Sequence, residues 1–305
     1  MDETRIIPAP EDAALSPAPS PHRPLRGAVL FVAALFLFAC LDTSIKHLSE
    51  RYEVPFIIAV RYLGNLVLMV ALLAPREGER LVRTRRTALV AVRAGCLCAA
   101  SLLVGLSLAR MPVAETTAIN FLAPILMVLL ARPLLGEGIG LTGWIAALGG
   151  FAGVLLIVRP GSGLDPAGIL FMLGAVCANT AYQLLSRVLV ATERTLAMLF
   201  HTALMGSVCF GVLLPWSWGG EVPEGWTLAL FLCLGVFGGL GHFMLTAAFR
   251  HAPASLLAPL NYVQLLWAGL LGWLVFGQVP DGIGLLGMAV VTVAGLLVTL
   301  RPRVP

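Results

Sequence analysis

The sequence has few charged residues and almost no lysine. Of its 305 residues, 12% are charged and 59% are apolar. Soluble domains carry about 25% charged residues, so this composition excludes a water-soluble protein and predicts one embedded in a membrane. The net charge is only +4, with Lys46 as the single lysine beside 19 arginines. So slight a basic excess gives no reason to expect a nucleic-acid partner.

Cysteine is also scarce, and its placement argues against two kinds of site. All six cysteines lie inside apolar stretches, with no C-x-x-C pair and no Cys/His cluster. Such cysteines are typical of small buried hydrophobic residues rather than of a disulfide framework or a metal site. We therefore expect no metal and no cofactor.

Long apolar stretches, by contrast, fill most of the chain. A helix needs about 20 mainly apolar residues to cross the hydrocarbon core of a bilayer. Ten stretches approach this length: 27–48, 54–73, 87–108, 113–130, 141–158, 166–185, 196–214, 226–247, 256–275 and 283–300. Because the bilayer core offers no water to backbone groups, we expect an all-α membrane protein of ten transmembrane helices joined as hairpins.

The first 26 residues differ from the rest. They hold six prolines among alanine, serine and acidic residues, a composition that predicts a disordered tail. With this tail in the cytoplasm, 14 lysines and arginines fall on the cytoplasmic side of the membrane and 3 on the other side. The positive-inside rule then predicts a multi-pass protein of the inner membrane with both termini in the cytoplasm.

The two halves of the chain resemble each other when one is shifted by about 140 residues. The aligned pairs include Asp42 with Asn179, Arg61 with His201, and Asn120 with Asn261. The sequence therefore predicts two five-helix repeats, at 27–160 and 161–302. Since five is odd, the second repeat enters the membrane from the opposite side, and such inverted repeats are found in many secondary transporters.

Several local motifs resemble EamA-type permeases of the drug/metabolite transporter superfamily. They are Pro-Val-Ala-Glu-Thr-Thr-Ala-Ile-Asn-Phe-Leu-Ala-Pro at 112–124, Leu-Gly-Glu at 135–137, and Gly-Phe-Ala-Gly-Val-Leu-Leu at 150–156. The resemblance extends over residues 27–302. It implies solute transport by alternation between outward-open and inward-open states.

The resemblance also bears on the substrate. Some members of this family import vitamins such as riboflavin or nucleoside-like metabolites, and others export amino acids. The stretch from Met111 to Asn120 is closer to the importers. Gln278 replaces the acidic residue that the pattern has after Gly277, so Glu137 is not expected to belong to a symmetric mechanism.

Polar side chains within the spans indicate where a site lies, because a charge inside the hydrocarbon costs about 3 kcal/mol or more. Six of them form two layers, three at about 10 Å from the outer surface and their repeat equivalents at a similar depth from the cytoplasmic surface. We predict a central cavity between the layers. The predicted substrate-binding residues are Asp42, Arg61, Asn120, Asn179, His201, Asn261 and the aromatic Tyr262.

Structural roles are open for several of these charges. Lys46 lies one helical turn from Asp42, so the two can neutralise each other, or Lys46 can reach the outer surface. Arg93 is expected to extend to the cytoplasmic surface in the same way. Arg61 lies deeper and either contacts an anionic group of the solute or pairs with Asp42. His242 is expected to be a satisfied interior group.

Other polar residues have two interpretations as well. Glu115 lies two residues from the outer mouth, where a solvated rim charge is expected, with proton coupling through Glu115 or Asp42 as the alternative. Asn120 and Asn261 can also form hydrogen bonds that join neighbouring helices.

Glycine and proline predict features of helix packing. The motifs Gly149-x-x-x-Gly153 and Gly235-x-x-x-Gly239 favour close approach of helix backbones. Pro124 and Pro259 are expected to kink the helices that gate the cavity.

Two rival classes are disfavoured. We find no hydrolytic dyad, no zinc motif and no pair of catalytic carboxylates, so we expect no catalytic residues and no enzyme. A channel would show rings of like groups, which are missing. The sequence therefore predicts a secondary transporter that moves a small organic metabolite, with a small-molecule solute and the lipid bilayer as its partners. It leaves the substrate, direction, ion coupling and oligomeric state open.

Overall fold

The chain folds into a bundle of α-helices. The computed structural model describes residues 24–123, 125–126, 129–130, 141–159, 161–189, 192–252, 257 and 260–299. Its α-helices within these ranges are α1 (Pro24–Leu48), α2 (Val54–Glu77), α3 (Thr87–Leu108), α4 (Val113–Asn120), α5 (Leu141–Ile157), α6 (Pro166–Leu189), α7 (Thr195–Ser217), α8 (Gly225–His251), α9 (Val263–Phe276) and α10 (Gly282–Thr299). The prediction of an all-helical membrane protein is confirmed, and the ten helices fit the ten predicted spans. Most of the predicted tail, residues 1–23, lies outside the described residues.

Length and composition suit most of these helices to a bilayer. Six of the described helices (α1, α2, α3, α6, α7 and α8) are long and apolar enough to cross a membrane, and shorter apolar helices lie within α5, α9 and α10. Helix boundaries follow the local sequence: Pro55 occupies the first turn of α2, and Gly277 ends α9 at a φ of +64°, which glycine adopts without steric cost. The helix α4 differs, because all of residues 113–119 are buried.

Apolar side chains cover the outside of the bundle. Leu170, Leu232 and Val212 are 69%, 67% and 62% exposed, which suits contact with lipid chains. Trp216 and Trp226, on either side of the connection between α7 and α8, are 79% and 73% exposed. Exposed tryptophans at helix ends are typical of the aromatic belt at a membrane surface.

The most extensive helix contacts join the two halves of the chain. They are α1–α8, α5–α10, α3–α6 and α2–α7, followed by α2–α8, α3–α7, α1–α9, α4–α9 and α4–α6. If every helix in these pairs is replaced by the helix five places earlier or later in the chain, the same list of pairs results. For example, α1–α8 becomes α6–α3, and α2–α7 becomes itself. The packing of the described helices therefore has a pseudo-two-fold pattern, while the inversion of the second repeat stays a prediction.

Glycines permit two of these contacts. A Cβ on Gly235 would lie 2.9 Å from the carbonyl carbon of Gly64, so α8 and α2 touch through their backbones. A Cβ on Gly153 would lie 2.9 Å from the carbonyl oxygen of Gly287, so α5 meets α10 in the same way. The predicted close contacts at Gly153 and Gly235 are confirmed. The predicted kinks at Pro124 and Pro259 fall outside the described residues.

Candidate functional site

Asp42 and Arg61 lie near each other inside the bundle. Asp42 is on α1 and Arg61 on α2, and both are half-buried. The guanidinium of Arg61 acts electrostatically on the Asp42 carboxylate. Its Nε lies against α8, where a Cβ on Gly238 would be 3.7 Å away. The structure thus brings together two of the predicted site residues at the contact of α1, α2 and α8.

Two further basic side chains belong to the same region. His242 on α8 is half-buried, and Arg61 and Arg93 both act on it electrostatically. Its ring meets that of Phe38 edge-on, with 5.0 Å between ring centroids. We call Asp42, Arg61, Arg93 and the neighbouring His242, which come from α1, α2, α3 and α8, the charged cluster.

Arg93 is the most fully bonded member of this charged cluster. It is 4% exposed, and its Nε donates to Ser186 Oγ at 2.6 Å. Its Nη1 donates to Thr202 Oγ1 at 3.1 Å and to the Met198 carbonyl at 3.3 Å, and its Nη2 donates to the Tyr182 hydroxyl at 2.8 Å. The expectation that Arg93 extends to the cytoplasmic surface is wrong, because α6 and α7 supply partners for the whole guanidinium.

A pair of asparagines connects the two halves. Asn179 Nδ2 on α6 donates to Asn120 Oδ1 at the end of α4, at 3.4 Å, and both residues are half-buried. The sequence places them in different layers, whereas the structure puts them in contact. The contact depends on the packing of α4 against α6, which the sequence of either helix alone does not specify.

Tyr262 is packed next to this asparagine pair. It is 7% exposed, and its ring lies 4.8 Å from that of Phe121, tilted by 32°. Its hydroxyl occupies the space over Gly295 of α10, where any Cβ would collide with it. The neighbouring Asn261 is half-buried, and its carbonyl accepts from the Gln264 N–H at 3.1 Å. The residues that directly follow Asn120 and Asn261 in the chain are therefore in contact near the start of α9.

His201 lies on α7 and is half-buried. Its Nδ1 is 2.9 Å from the Ala197 carbonyl. Because a carbonyl only accepts, Nδ1 carries the proton in this bond. Within the described part of the chain, His201 and Asn261 make no side-chain hydrogen bond to the other predicted site residues.

Two charged residues near the connection between α3 and α4 are buried, contrary to expectation. Lys46 is 9% exposed, and its Nζ donates to the carbonyls of Leu108 at 2.9 Å and Met111 at 2.7 Å. It therefore satisfies backbone oxygens at the end of α3 instead of reaching the surface. Glu115 is 8% exposed, so it is not a solvated rim charge. The sequence contains a sign that Lys46 and Glu115 are buried, because each lies on a predicted helix beside other polar residues.

A cavity of about 390 Å³ opens at this end of the bundle. We call it the outer cavity after the predicted orientation, and it lies among the connections 109–112, 161–165 and 277–281. Its lining includes Arg110, Glu115, Ser162, Leu164, Gln278 and Asp281.

Asp281 closes one side of the outer cavity. Its Oδ2 accepts from Arg159 Nη2 and its Oδ1 accepts from the Gly284 N–H at 2.7 Å. These two hydrogen bonds, that from Arg159 foremost, hold the pKa of Asp281 below its usual range. The ion pair connects the loop after α5 to the start of α10.

Apolar helices around buried polar side chains, with a cavity at one end, define a membrane transporter. A model of the EamA-like transporter family matches the chain twice, at residues 25–159 and 166–301. The chain belongs to the EamA-like transporter family, as the resemblance of its motifs implied. It is therefore a multi-pass membrane permease for small solutes and not an enzyme.

Individual relatives extend over most of the chain. The riboflavin transporter of Rhizobium johnstonii is 30% identical over 286 residues, which cover 92% of this chain and 93% of the relative. The S-adenosylmethionine uptake transporter of Rickettsia felis is 26% identical over 280 residues, covering 90% and 92%. A solved crystal structure matches with a TM-score of 0.65 at 19% identity, over 90% of this chain and 96% of that one, and it shows the fold alone.

Proposed function

We propose that the protein takes up a small organic metabolite with a flat ring system, such as riboflavin or a nucleoside-like compound, across the inner membrane. The hydrogen bond between Asn120 and Asn179 carries this proposal, because it puts polar side chains of both halves in contact inside the bundle. The riboflavin and S-adenosylmethionine transporters among the relatives support the same class of solute.

The proposed path runs between two inverted repeats, at 27–160 and 161–302. The pseudo-two-fold pattern of helix contacts and the double match of the family model support this division. The distribution of arginines supports cytoplasmic termini. Five helices per repeat then require opposite insertion of the two repeats, the architecture that suits rocking about a central site.

Within this path, each group of residues has a role. The amides of Asn120, Asn179 and Asn261 offer hydrogen bonds to the polar edge of a ring, and Tyr262 offers its face. Asp42 and Arg61 supply charge from the first repeat, and His201 supplies a hydrogen-bonding imidazole from the second. These residues are the predicted substrate-binding set.

The conformation fits an outward-facing state. At the cytoplasmic end, the Glu193 carboxylate accepts from the backbone N–H of Arg86 at 2.7 Å and of Arg85 at 3.0 Å. An ion pair of 2.9 Å between Arg194 and Glu77 lies beside it. We call these bonds the inner latch, since they join the α2–α3 connection to the α6–α7 connection. The outer cavity lies at the opposite end.

Uptake into proteoliposomes tests this function. Purified protein should accumulate radiolabelled riboflavin or a labelled nucleoside above empty liposomes. Asn120→Ala and Asn179→Ala should each lower the rate about tenfold at equal protein content, since each removes a hydrogen bond from the proposed site. Asn65→Ala is the matched control, because the Asn65 amide lies against Gly239 on α8. Wild-type rates in both site variants would refute the site, and no uptake of any ring-bearing solute would refute the function.

A further inference from the structure

Two acceptors in the outer cavity have unused hydrogen-bonding capacity. Glu115 Oε2 and Gln278 Oε1 are both buried and have no hydrogen-bond partner among the described residues. Both residues line the outer cavity, and Glu115 is more than nine-tenths buried. A buried acceptor without a donor is costly, and a buried carboxylate is more costly still. The pair therefore points to a ligand that donates hydrogen bonds.

The neighbouring charges are largely committed elsewhere. Lys46 acts on Glu115 electrostatically, but two of the three hydrogens on its Nζ are used by the carbonyls of Leu108 and Met111. Both oxygens of Asp281 are used, one by Arg159 and one by a backbone N–H.

Arg110 is the remaining charged group of the outer cavity. It is exposed, and its guanidinium carbon lies 5.5 Å from the centroid of the Phe171 ring. The buried end of the cavity is consequently the end with free acceptors, and Glu115 provides its unbonded carboxylate oxygen.

We propose that the outer cavity receives a protonated amino group of the transported solute, with Glu115 and Gln278 as its acceptors. An ammonium group has three N–H donors and no acceptor, so it can satisfy both oxygens and also compensate the carboxylate charge. A hydroxyl has one donor and no charge. The volume of about 390 Å³ lies within the usual range of about 300–1,000 Å³ for small-molecule pockets. This inference rests on the proposed function and narrows its solute to ring compounds that carry an amine.

A pair of probes that differ in one group tests the proposal. Adenosine and 5′-amino-5′-deoxyadenosine share the ring system and differ by a hydroxyl against an amine that is protonated at neutral pH. Their binding to purified full-length protein in lipid nanodiscs is measured by calorimetry, which needs no transport. We expect the amine to bind the wild type about tenfold more tightly than adenosine, as a charge-assisted hydrogen bond allows.

Variants assign this preference to the cavity. Glu115→Gln keeps the shape and removes the charge, so the preference for the amine should disappear while adenosine binding stays. Glu53→Gln is the matched control, because Glu53 is exposed and caps no N–H with its side chain. Gln278→Met is a second test that leaves the buried carboxylate in place. This variant should reduce the preference for the amine over adenosine about threefold.

The outcomes separate this proposal from the function on which it rests. Equal binding of the two probes to the wild type, or an undiminished preference in both Glu115→Gln and Gln278→Met, would overturn the amine site. If Glu115→Gln does not fold, Gln278→Met decides alone. Failure of the wild type to take up any ring-bearing solute refutes the proposed function instead, since the calorimetry does not depend on transport.

Discussion

Arg93 holds three helices together through one side chain. Its four hydrogen bonds reach α6 and α7, and its guanidinium carbon lies 4.4 Å from the centroid of the Tyr182 ring. A planar fork of donors is needed to serve these partners at once, and lysine cannot supply it. The residue therefore positions the helices that carry Asn179 and His201.

Arg93→Lys should lower the stability of the protein by about 3 kcal/mol, because buried hydrogen bonds to a charged group are lost while a charge stays buried. Thermal unfolding in detergent measures the effect. Arg83→Lys, at an exposed position on the connection between α2 and α3, should unfold like the wild type. Equal unfolding temperatures for Arg93→Lys and the wild type would show that the network does not stabilise the fold.

Asp281 gives a pH dependence with a definite sign. Its pKa is lowered in the folded protein by Arg159 and the Gly284 N–H. Its contribution to stability is therefore complete above the unfolded pKa of about 3.9 and is lost as the pH falls through the lower folded value. Asp281→Asn should be less stable than the wild type at pH 7, and this difference should shrink only below about pH 4. A difference that persists unchanged into acid would contradict the assignment.

The sequence predicts the burial of Arg93 and its neighbours only in part. Val90, Arg93 and Ala94 are all buried on one face of α3, and helical spacing alone places them together. The partners Ser186 and Tyr182 belong to α6, and no local pattern says that α6 packs on α3. The contact between Asn120 and Asn179 depends in the same way on how α4 and α6 pack, which no local pattern indicates.

At the scale of helices, the contact between α2 and α8 depends on the absence of side chains. A Cβ on Gly235 meets the backbone of Gly64 at 2.9 Å, and backbone cannot yield as a flexible side chain can. The bounds of such helices were readable from apolar length, as α3 shows by matching its predicted span of 87–108. Apolar length does not indicate which helix packs against α3.

Gly235→Ala should destabilise the protein by about 1–3 kcal/mol through overpacking. Gly211→Ala on α7 makes the same chemical change where a Cβ meets nothing within 4 Å, so it should be neutral or stabilise by up to about 1 kcal/mol through helix propensity. Thermal unfolding of the two variants side by side gives the comparison. Equal effects in the two helices would mean that α2 and α8 do not touch there.

For the whole molecule, the two ends of the bundle differ. The inner latch joins the halves at one end of the bundle through Glu193 and Arg194, whereas the opposite end holds the outer cavity. Since transport by alternating access requires each end to open in turn, the latch must break in every cycle.

A cross-link across the inner latch tests the account most directly. Cysteines replacing Arg86 and Glu193, in a background whose six native cysteines are replaced by alanine, are joined by a short bismaleimide in protein reconstituted into liposomes, and uptake of a labelled solute that the wild type transports is measured. The account predicts that the cross-linked protein binds solute and does not transport it, while each single-cysteine variant treated with the same reagent still transports. Transport by the fully cross-linked protein at the rate of the untreated double variant would contradict alternating access between the two halves.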